Sequence, residues 1–169
     1  TAIAARLTYA SAPDSLQGAL AAGLLGGGSR FLGVTEDCAH FLARELKEIG
    51  AAPTTQEGWD AAALNAVQKQ KDIGKFVPGL GHPVHKQGDP RTPVLIAMAR
   101  EQGLFGSHLS LFDAIGRVHS QVLGKTLPLN GAGVCGAVLA DAGIPMGVMR
   151  GVALLARCAG LLGHLVEEQ

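Results

Sequence analysis

His82 stands in a stretch rich in glycine and proline, residues 76–91, directly between Gly81 and Pro83. A neutral imidazole can donate one proton and accept another, so a histidine held in a loop suits carbonyl chemistry near neutral pH. The alternative is a surface side chain bonded only to backbone. His85 lies three residues later, but zinc sites normally need at least three protein ligands, and no third is near. We therefore expect no metal.

Two arginines are candidates for binding carboxylates. Arg91 follows Asp89-Pro90 at the end of the same stretch. A guanidinium on a rigid turn can hold a carboxylate through two parallel hydrogen bonds, or it can pair with Asp89 at a helix start. Arg157 lies in the most apolar segment of the chain, where an unpaired charge is costly. It indicates either a buried ion pair or an anion site, and the sequence leaves both open.

The elements that must position these residues are helices. Capping residues and prolines at their starts and glycines at their ends predict helices at 14–25, 36–49, 56–73, 92–102, 108–123, 131–142 and 146–167. Pro13, Thr35 and Thr55 are the predicted start residues of the first three. No run of alternating polarity indicates a strand, so the predicted fold class is all-α. The last helix is apolar nearly all round, which favours a central or interface helix.

Composition narrows the class of protein. With 47% hydrophobic residues and no formal net charge, the chain can bury a core and offers no electrostatic case for nucleic acid or a membrane surface. Gly, Arg or His interrupts each apolar run, so we expect that no segment reaches the length of a membrane span. The three distant cysteines, Cys38, Cys135 and Cys158, and the lack of a signal-peptide pattern indicate a reducing, cytoplasmic location.

The segment PGLGHPVHK at 78–86, followed by DPR at 89–91, resembles a loop of the citrate synthase family. The segments at 5–23, 130–145 and 156–164 are similar to further blocks of that family, so the resemblance covers nearly the whole chain. It implies an all-α fold with a small domain at 33–131. Residues 1–32 and 132–169 would form portions of a large domain, and the protein would be a homodimer or higher homo-oligomer.

The resemblance also implies roles for individual residues. Family members act on acyl-CoA and oxaloacetate through an aspartate and two histidines. One histidine corresponds to His82, and the carboxylate-binding arginines correspond to Arg91 and Arg157, with Asn130 as a further substrate-binding residue. Coenzyme A, bound as its thioester substrate, is expected to contact a group of residues made up of Val77, Pro78, Gly79, Leu80, Gly81 and Lys125.

The chain departs from the family pattern at the two other acid–base positions. Leu32 stands where the family usually has a histidine, and Ala132 stands where the aspartate is expected. Neither side chain can move a proton, and losing a general base costs roughly two to four orders of magnitude in rate. The pattern favours a citryl-CoA lyase-like enzyme that cleaves citryl-CoA to acetyl-CoA and oxaloacetate, with His82 taking the hydroxyl proton. The alternatives are a citrate or 2-methylcitrate synthase and a non-catalytic protein that binds coenzyme A or dicarboxylates.

Overall fold

A computed structural model describes residues 1–169, apart from the side chain of Arg30. The part of the chain it describes contains nine α-helices and one isolated antiparallel bridge, between Leu80 and Leu129. The helices are α1 (Ala2–Ser11), α2 (Leu16–Leu25), α3 (Gly28–Leu32), α4 (Val34–Ile49), α5 (Gln56–Asp72), α6 (Arg91–Glu101), α7 (Ser107–Leu123), α8 (Gly131–Asp141) and α9 (Met146–Val166). The all-α prediction is confirmed.

The helix starts agree with the sequence prediction in some places and differ in others. Thr55 caps α5 as predicted, because its Oγ1 accepts a hydrogen bond from the backbone N of Gly58 at 3.1 Å. Thr35 is not a cap: it is buried within α4, since Gly33 keeps right-handed helical angles and leaves no break to cap. Pro13 lies in a turn between α1 and α2, and the short α3 was not predicted.

The chain divides into two compact units. Residues 34–149 form one unit, whose core is built by α4, α5, α7 and α8. Its largest fully buried side chains include Leu42, Val67, Leu109, Phe112 and Ile115. Residues 1–33 and 150–169 form the other unit, where Ala5 and Ala19 pack with Leu161 and Leu165. The assignment of 1–32 and 132–169 to a large domain and 33–131 to a small domain stays a prediction.

Helix α9 is more exposed than the sequence suggested. Along it, the side chains of Val152, Leu155, Leu162 and Val166 are exposed. The helix has 21 residues and is long and apolar enough to cross a membrane by length and composition alone. The prediction that no segment reaches that length is wrong, because single Gly, Arg and His residues interrupt the apolar run without ending the helix. A core helix passes the same test, so this observation is weak evidence for a membrane span.

A buried carboxylate at the end of α8 fixes the start of α7. Asp141 accepts hydrogen bonds from the backbone N of Gly106, His108 and Leu109 at 3.0, 2.9 and 2.9 Å, and from Nδ1 of His108 at 2.8 Å. The first backbone N–H groups of a helix have no hydrogen-bond acceptor within the helix, and Asp141 supplies one. Gly106 leaves room for the carboxylate, because a Cβ there would lie 2.6 Å from it. Asp141 thus joins α7 to α8.

Replacing Asp141 with Ala should destabilise the protein by about 2–3 kcal/mol, because the amide donors at the start of α7 would lose their acceptor in a half-buried setting. Urea denaturation followed by circular dichroism measures this change. Glu101→Ala, at an exposed position, is the control and should change the free energy of unfolding by about 0.5 kcal/mol or less. Equal effects of the two substitutions would contradict the assigned role of Asp141.

Candidate active site

The candidate site is built where two loops meet. We call residues 76–90 the histidine loop and residues 124–130 the second loop. The backbone N of Gly81 donates to the carbonyl of Pro128 at 2.7 Å, and the backbone N of Asn130 donates to the carbonyl of Gly79 at 2.9 Å. The bridge between Leu80 and Leu129 lies between these bonds. The sequence placed both segments outside helices, but nothing in it indicated that they pair.

Close packing of the histidine loop depends on glycine. Gly79 and Gly81 have φ angles of +82° and +89°, which L side chains rarely adopt. A Cβ on Gly79 would also lie 2.7 Å from the Phe112 ring and 2.8 Å from the Cα of Gly133. Any other residue at position 79 would therefore push the loop away from the start of α8. The buried side chain of Val77 anchors the loop in the core, which leaves its backbone for a ligand.

The hydrogen bonds of His82 define which ring nitrogen carries the proton. Its Nδ1 accepts from the backbone N of Val84 at 3.1 Å and from the backbone N of His85 at 3.0 Å. An atom that accepts two amide protons bears none itself, so the neutral ring carries its proton on Nε2. Burial and the neighbouring His85 lower the pKa of His82, and Arg91 and Lys86 add to this effect while Asp89 opposes it. His82 is thus a neutral donor through Nε2.

Arg91 is held by the buried carboxylate of Asp89. Its Nε donates to Oδ1 at 2.9 Å and its Nη2 donates to Oδ2 at 2.7 Å. The backbone N of Gly131 also donates to Oδ2, at 2.7 Å. The guanidinium beside Asp89 holds the pKa of that carboxyl well below its usual range. Because the Arg91 side chain is 59% exposed, its remaining N–H groups can reach a ligand.

Two hydrogen-bond donors, one on His82 and one on Arg91, lie close together in the site. Nη2 of Arg91 lies 3.4 Å from Nε2 of His82. Since Nε2 carries the proton, neither atom accepts from the other, and the separation is long for a hydrogen bond. An oxygen atom placed against both would receive one hydrogen bond from each. The arrangement therefore suits an oxygen on which negative charge develops.

Asn130 has a structural role that the sequence did not reveal. Its Oδ1 accepts from the backbone N of Gly133 at 2.9 Å and so caps α8. Its Nδ2 donates to the carbonyl of Gly81 at 2.7 Å. Both polar atoms of the side chain already have backbone partners, so the predicted substrate-binding role has no direct support. The signal available in the sequence was that Asn before a glycine-rich helix start is a favoured cap.

The other predicted residues lie in different settings. Arg157 is exposed on α9, in the unit formed by residues 1–33 and 150–169, so the buried ion pair is wrong and the anion site stays a prediction. Lys125 is exposed in the second loop. Leu32 ends α3, and Ala132 lies in the first turn of α8. Their places in the site stay predictions.

Sequence reasoning passed over His119. This side chain is buried in α7, 1% exposed. Its Nδ1 lies 2.9 Å from the carbonyl of Ile115, and its Nε2 accepts from the backbone N of Leu127 at 2.8 Å. A histidine on the apolar face of a helix gave no signal beyond ordinary packing.

Comparison with known proteins supplies the family. The family model for the C-terminal domain of citrate synthase matches residues 2–169. Among solved structures, citryl-CoA lyase from Hydrogenobacter thermophilus is similar with a TM-score of 0.82 and 30% sequence identity, over 98% of this chain and 60% of that one. The chain thus spans about 60% of the length of that lyase. No curated protein sequence matched in the corresponding search.

Two ATP citrate lyases share the fold over a smaller part of their length. The enzyme from Methanothrix soehngenii, solved with citrate and coenzyme A, has a TM-score of 0.73 and 24% identity, over 96% of this chain and 27% of that one. A variant of the enzyme from Methanosaeta concilii, solved with (3S)-citryl-CoA, has a TM-score of 0.72 and 25% identity, over 96% and 27%. The family match over almost every residue, together with the all-helical fold, leads to one conclusion: the chain belongs to the citrate synthase family.

Proposed function

We propose that this chain is part of an enzyme that cleaves citryl-CoA to acetyl-CoA and oxaloacetate. The observation that carries the proposal is the closeness of two hydrogen-bond donors, Nε2 of His82 and Nη2 of Arg91, which lie 3.4 Å apart. Such a pair of donors fits the oxygen that changes from hydroxyl to ketone in this reaction. The similarity to the citryl-CoA lyase of Hydrogenobacter thermophilus supports the same choice.

In the cleavage direction, the bond between the hydroxyl-bearing carbon and the acetyl carbon breaks. Its electron pair becomes the enolate of acetyl-CoA, while the hydroxyl loses its proton and becomes the ketone of oxaloacetate. Donation from His82 and Arg91 stabilises the negative charge that builds on this oxygen. Because Leu32 and Ala132 carry no titratable group, we assign both the removal of the hydroxyl proton and the protonation of the enolate carbon to water.

This assignment changes the role first expected for His82. A histidine that takes the hydroxyl proton must present a lone pair at Nε2, which requires a proton on Nδ1. The amides of Val84 and His85 both point at Nδ1 and disfavour that form. We therefore propose that His82 acts as a hydrogen-bond donor to the substrate oxygen, not as the base. The lowered pKa of its ring keeps it in this neutral form.

The substrate is proposed to enter with its thioester along the histidine loop. Pro78, Gly79 and Leu80 are proposed to offer backbone groups there, and exposed Lys125 offers a cation in the second loop. Gly81 is proposed to contribute only by its close approach, because both its backbone N and its carbonyl are bonded to the second loop. Binding of (3S)-citryl-CoA by the similar Methanosaeta concilii enzyme supports coenzyme A thioesters as the ligand class. Arg91 is proposed to hold a carboxylate of the citryl group, and Arg157 is proposed as a second carboxylate ligand.

The experiment uses the natural polypeptide that contains this chain. Purified protein is given citryl-CoA, and oxaloacetate release is followed by coupled reduction to malate. Release well above the buffer rate is expected. Binding of coenzyme A by calorimetry without any release would favour the non-catalytic alternative. Thiol release from acetyl-CoA or propionyl-CoA with oxaloacetate, without citryl-CoA cleavage, would favour the synthase alternative, because converging donors can also polarise a ketone for condensation.

His82→Asn is the sharpest variant for this assay. The Asn Oδ1 can keep the bonds from Val84 and His85 while the donor at Nε2 is lost. We expect kcat to fall by about a hundredfold or more with little change in melting temperature. In the unmodified enzyme, a proton added to Nδ1 would break the bonds from Val84 and His85, so kcat should fall on acidification, and it should do so below the pH range of an ordinary histidine because the pKa of His82 is lowered. His40→Asn, at an exposed site on α4, is the matched control. If the His82→Asn variant keeps a kcat close to that of the unmodified enzyme, His82 takes no part in the reaction.

Arg91→Lys tests the carboxylate clamp. Lysine keeps the charge beside Asp89 but lacks the planar fork that bonds Asp89 and substrate together. We expect KM for citryl-CoA to rise about tenfold or more. Steady-state kinetics at several substrate concentrations measure it, with Arg100→Lys on the exposed side of α6 as the control. The value of kcat should fall as well, because Nη2 of Arg91 also donates to the reacting oxygen; if both KM and kcat are unchanged, Arg91 is only a partner of Asp89.

We also propose that the enzyme is a homodimer and that α9 contributes to its interface. Val152, Leu155, Leu162 and Val166 place an exposed apolar stripe along that helix, with Leu155 73% exposed. Burying such a stripe against a second copy would remove apolar area from water.

Leu155→Glu should convert dimer to monomer without loss of helical content, because a charge would enter the apolar contact. Sedimentation velocity and circular dichroism together measure the result. Gln17→Glu introduces the same charge at an exposed site on α2 and should leave the dimer intact. A dimer that persists in Leu155→Glu would place the interface elsewhere.

A further inference from the structure

His119 is connected to the candidate site through backbone. The carbonyl of Ile115 can only accept, so Nδ1 of His119 carries the ring proton. The amide of Leu127 donates to Nε2 at 2.8 Å, so that nitrogen is unprotonated. His119 therefore holds the tautomer opposite to that of His82, and both ring nitrogens are engaged. The His119 side chain is only 1% exposed in α7. It is therefore held in place and can serve as a fixed hydrogen-bond acceptor for the second loop.

The chain of contacts from His119 to His82 is short. Leu127 is followed by Pro128, whose carbonyl accepts from the backbone N of Gly81 at 2.7 Å. Gly81 directly precedes His82. Pro128 has a fixed φ and no backbone N–H group. The N–H group of Leu127 is therefore the nearest backbone donor on this side of the Pro128–Gly81 hydrogen bond that can hold the second loop in place. A shift of Leu127 would thus be passed to Gly81 with little room for adjustment.

We propose that His119 is a positioning residue for His82. By accepting from Leu127 it sets the Pro128 carbonyl, which in turn sets the backbone of Gly81 and the orientation of the His82 ring. Arg91 is held separately by the carboxylate of Asp89, which also accepts a hydrogen bond from the backbone N of Gly131. The donor at His82 therefore depends on His119, whereas the carboxylate clamp does not. The kinetic consequence rests on the proposed function, but the structural one does not.

A pair of substitutions separates positioning from packing. The amide oxygen of Gln can occupy the place of Nε2 and accept from Leu127, whereas Met fills a similar volume without an acceptor of comparable strength. In His119→Met we expect kcat for citryl-CoA cleavage to fall about tenfold or more while KM stays within about twofold. In His119→Gln we expect kcat within about threefold of the unmodified enzyme. Equal kcat per folded molecule in both variants would show a purely structural role and overturn the proposal.

A measurement on His82 itself does not depend on turnover. The ¹⁵N chemical shifts of the imidazole report which nitrogen is protonated. The unmodified protein and His119→Gln should show a bare Nδ1 and a protonated Nε2 at His82, whereas His119→Met should show a mixture of forms. If the protein has no lyase activity, these chemical shifts still test whether His119 positions His82. An unchanged His82 spectrum in folded His119→Met would refute the positioning role.

Pro128→Ala provides a second route if His119→Met does not fold. It loosens the segment between Leu127 and Gly81 without disturbing a buried side chain, since Pro128 is only half-buried. The same lowered kcat, unchanged KM and mixed His82 tautomers are expected. A wild-type kcat and an unchanged His82 spectrum in this variant would mean that His82 is not positioned through the second loop.

Discussion

The buried carboxylate of Asp89 is the interaction on which the site depends. It binds the guanidinium of Arg91 through both oxygens and takes the amide of Gly131, so one side chain ties the histidine loop to the starts of α6 and α8. A buried charge is tolerated only when it is paired and hydrogen-bonded in this way. Its consequence is a guanidinium whose direction is set before any substrate arrives.

The site that results is rich in donors and poor in bases. His82 presents Nε2–H because its Nδ1 is taken by amides, and Arg91 cannot lose its proton at all. These two side chains can stabilise charge on an oxygen, but neither can remove a proton from carbon in this form. At the two positions where the family resemblance predicts further acid–base residues, the chain has Leu32 and Ala132, which cannot move protons. Two donors of this kind suit the alkoxide that forms when the hydroxyl of the proposed substrate loses its proton, before the carbon–carbon bond breaks.

Hydrogen bonds to backbone groups, more than contacts between side chains, hold His82 in place. The pairing of the two loops brings Gly79 against Gly133 and the Phe112 ring, where no Cβ would fit. Asn130 and His119 form hydrogen bonds with backbone groups in and beside these loops. A frame of this kind keeps one donor in place. It also explains how two histidines in the same protein hold opposite tautomers.

The sequence by itself determined the helical class, most helix ends and the family, and it placed His82 and Arg91 in one segment as candidates. These depend on local signals: glycine stops, the Thr55 cap, and a motif whose residues lie close in sequence. Only the tertiary structure decided the partners of Asp89, the use of Asn130 and His119, and the exposure of Arg157. Each of these depends on residues distant in the chain, such as Gly131 for Asp89 and Gly81 for Asn130. Their approach is set by packing between helices, which no local pattern encodes.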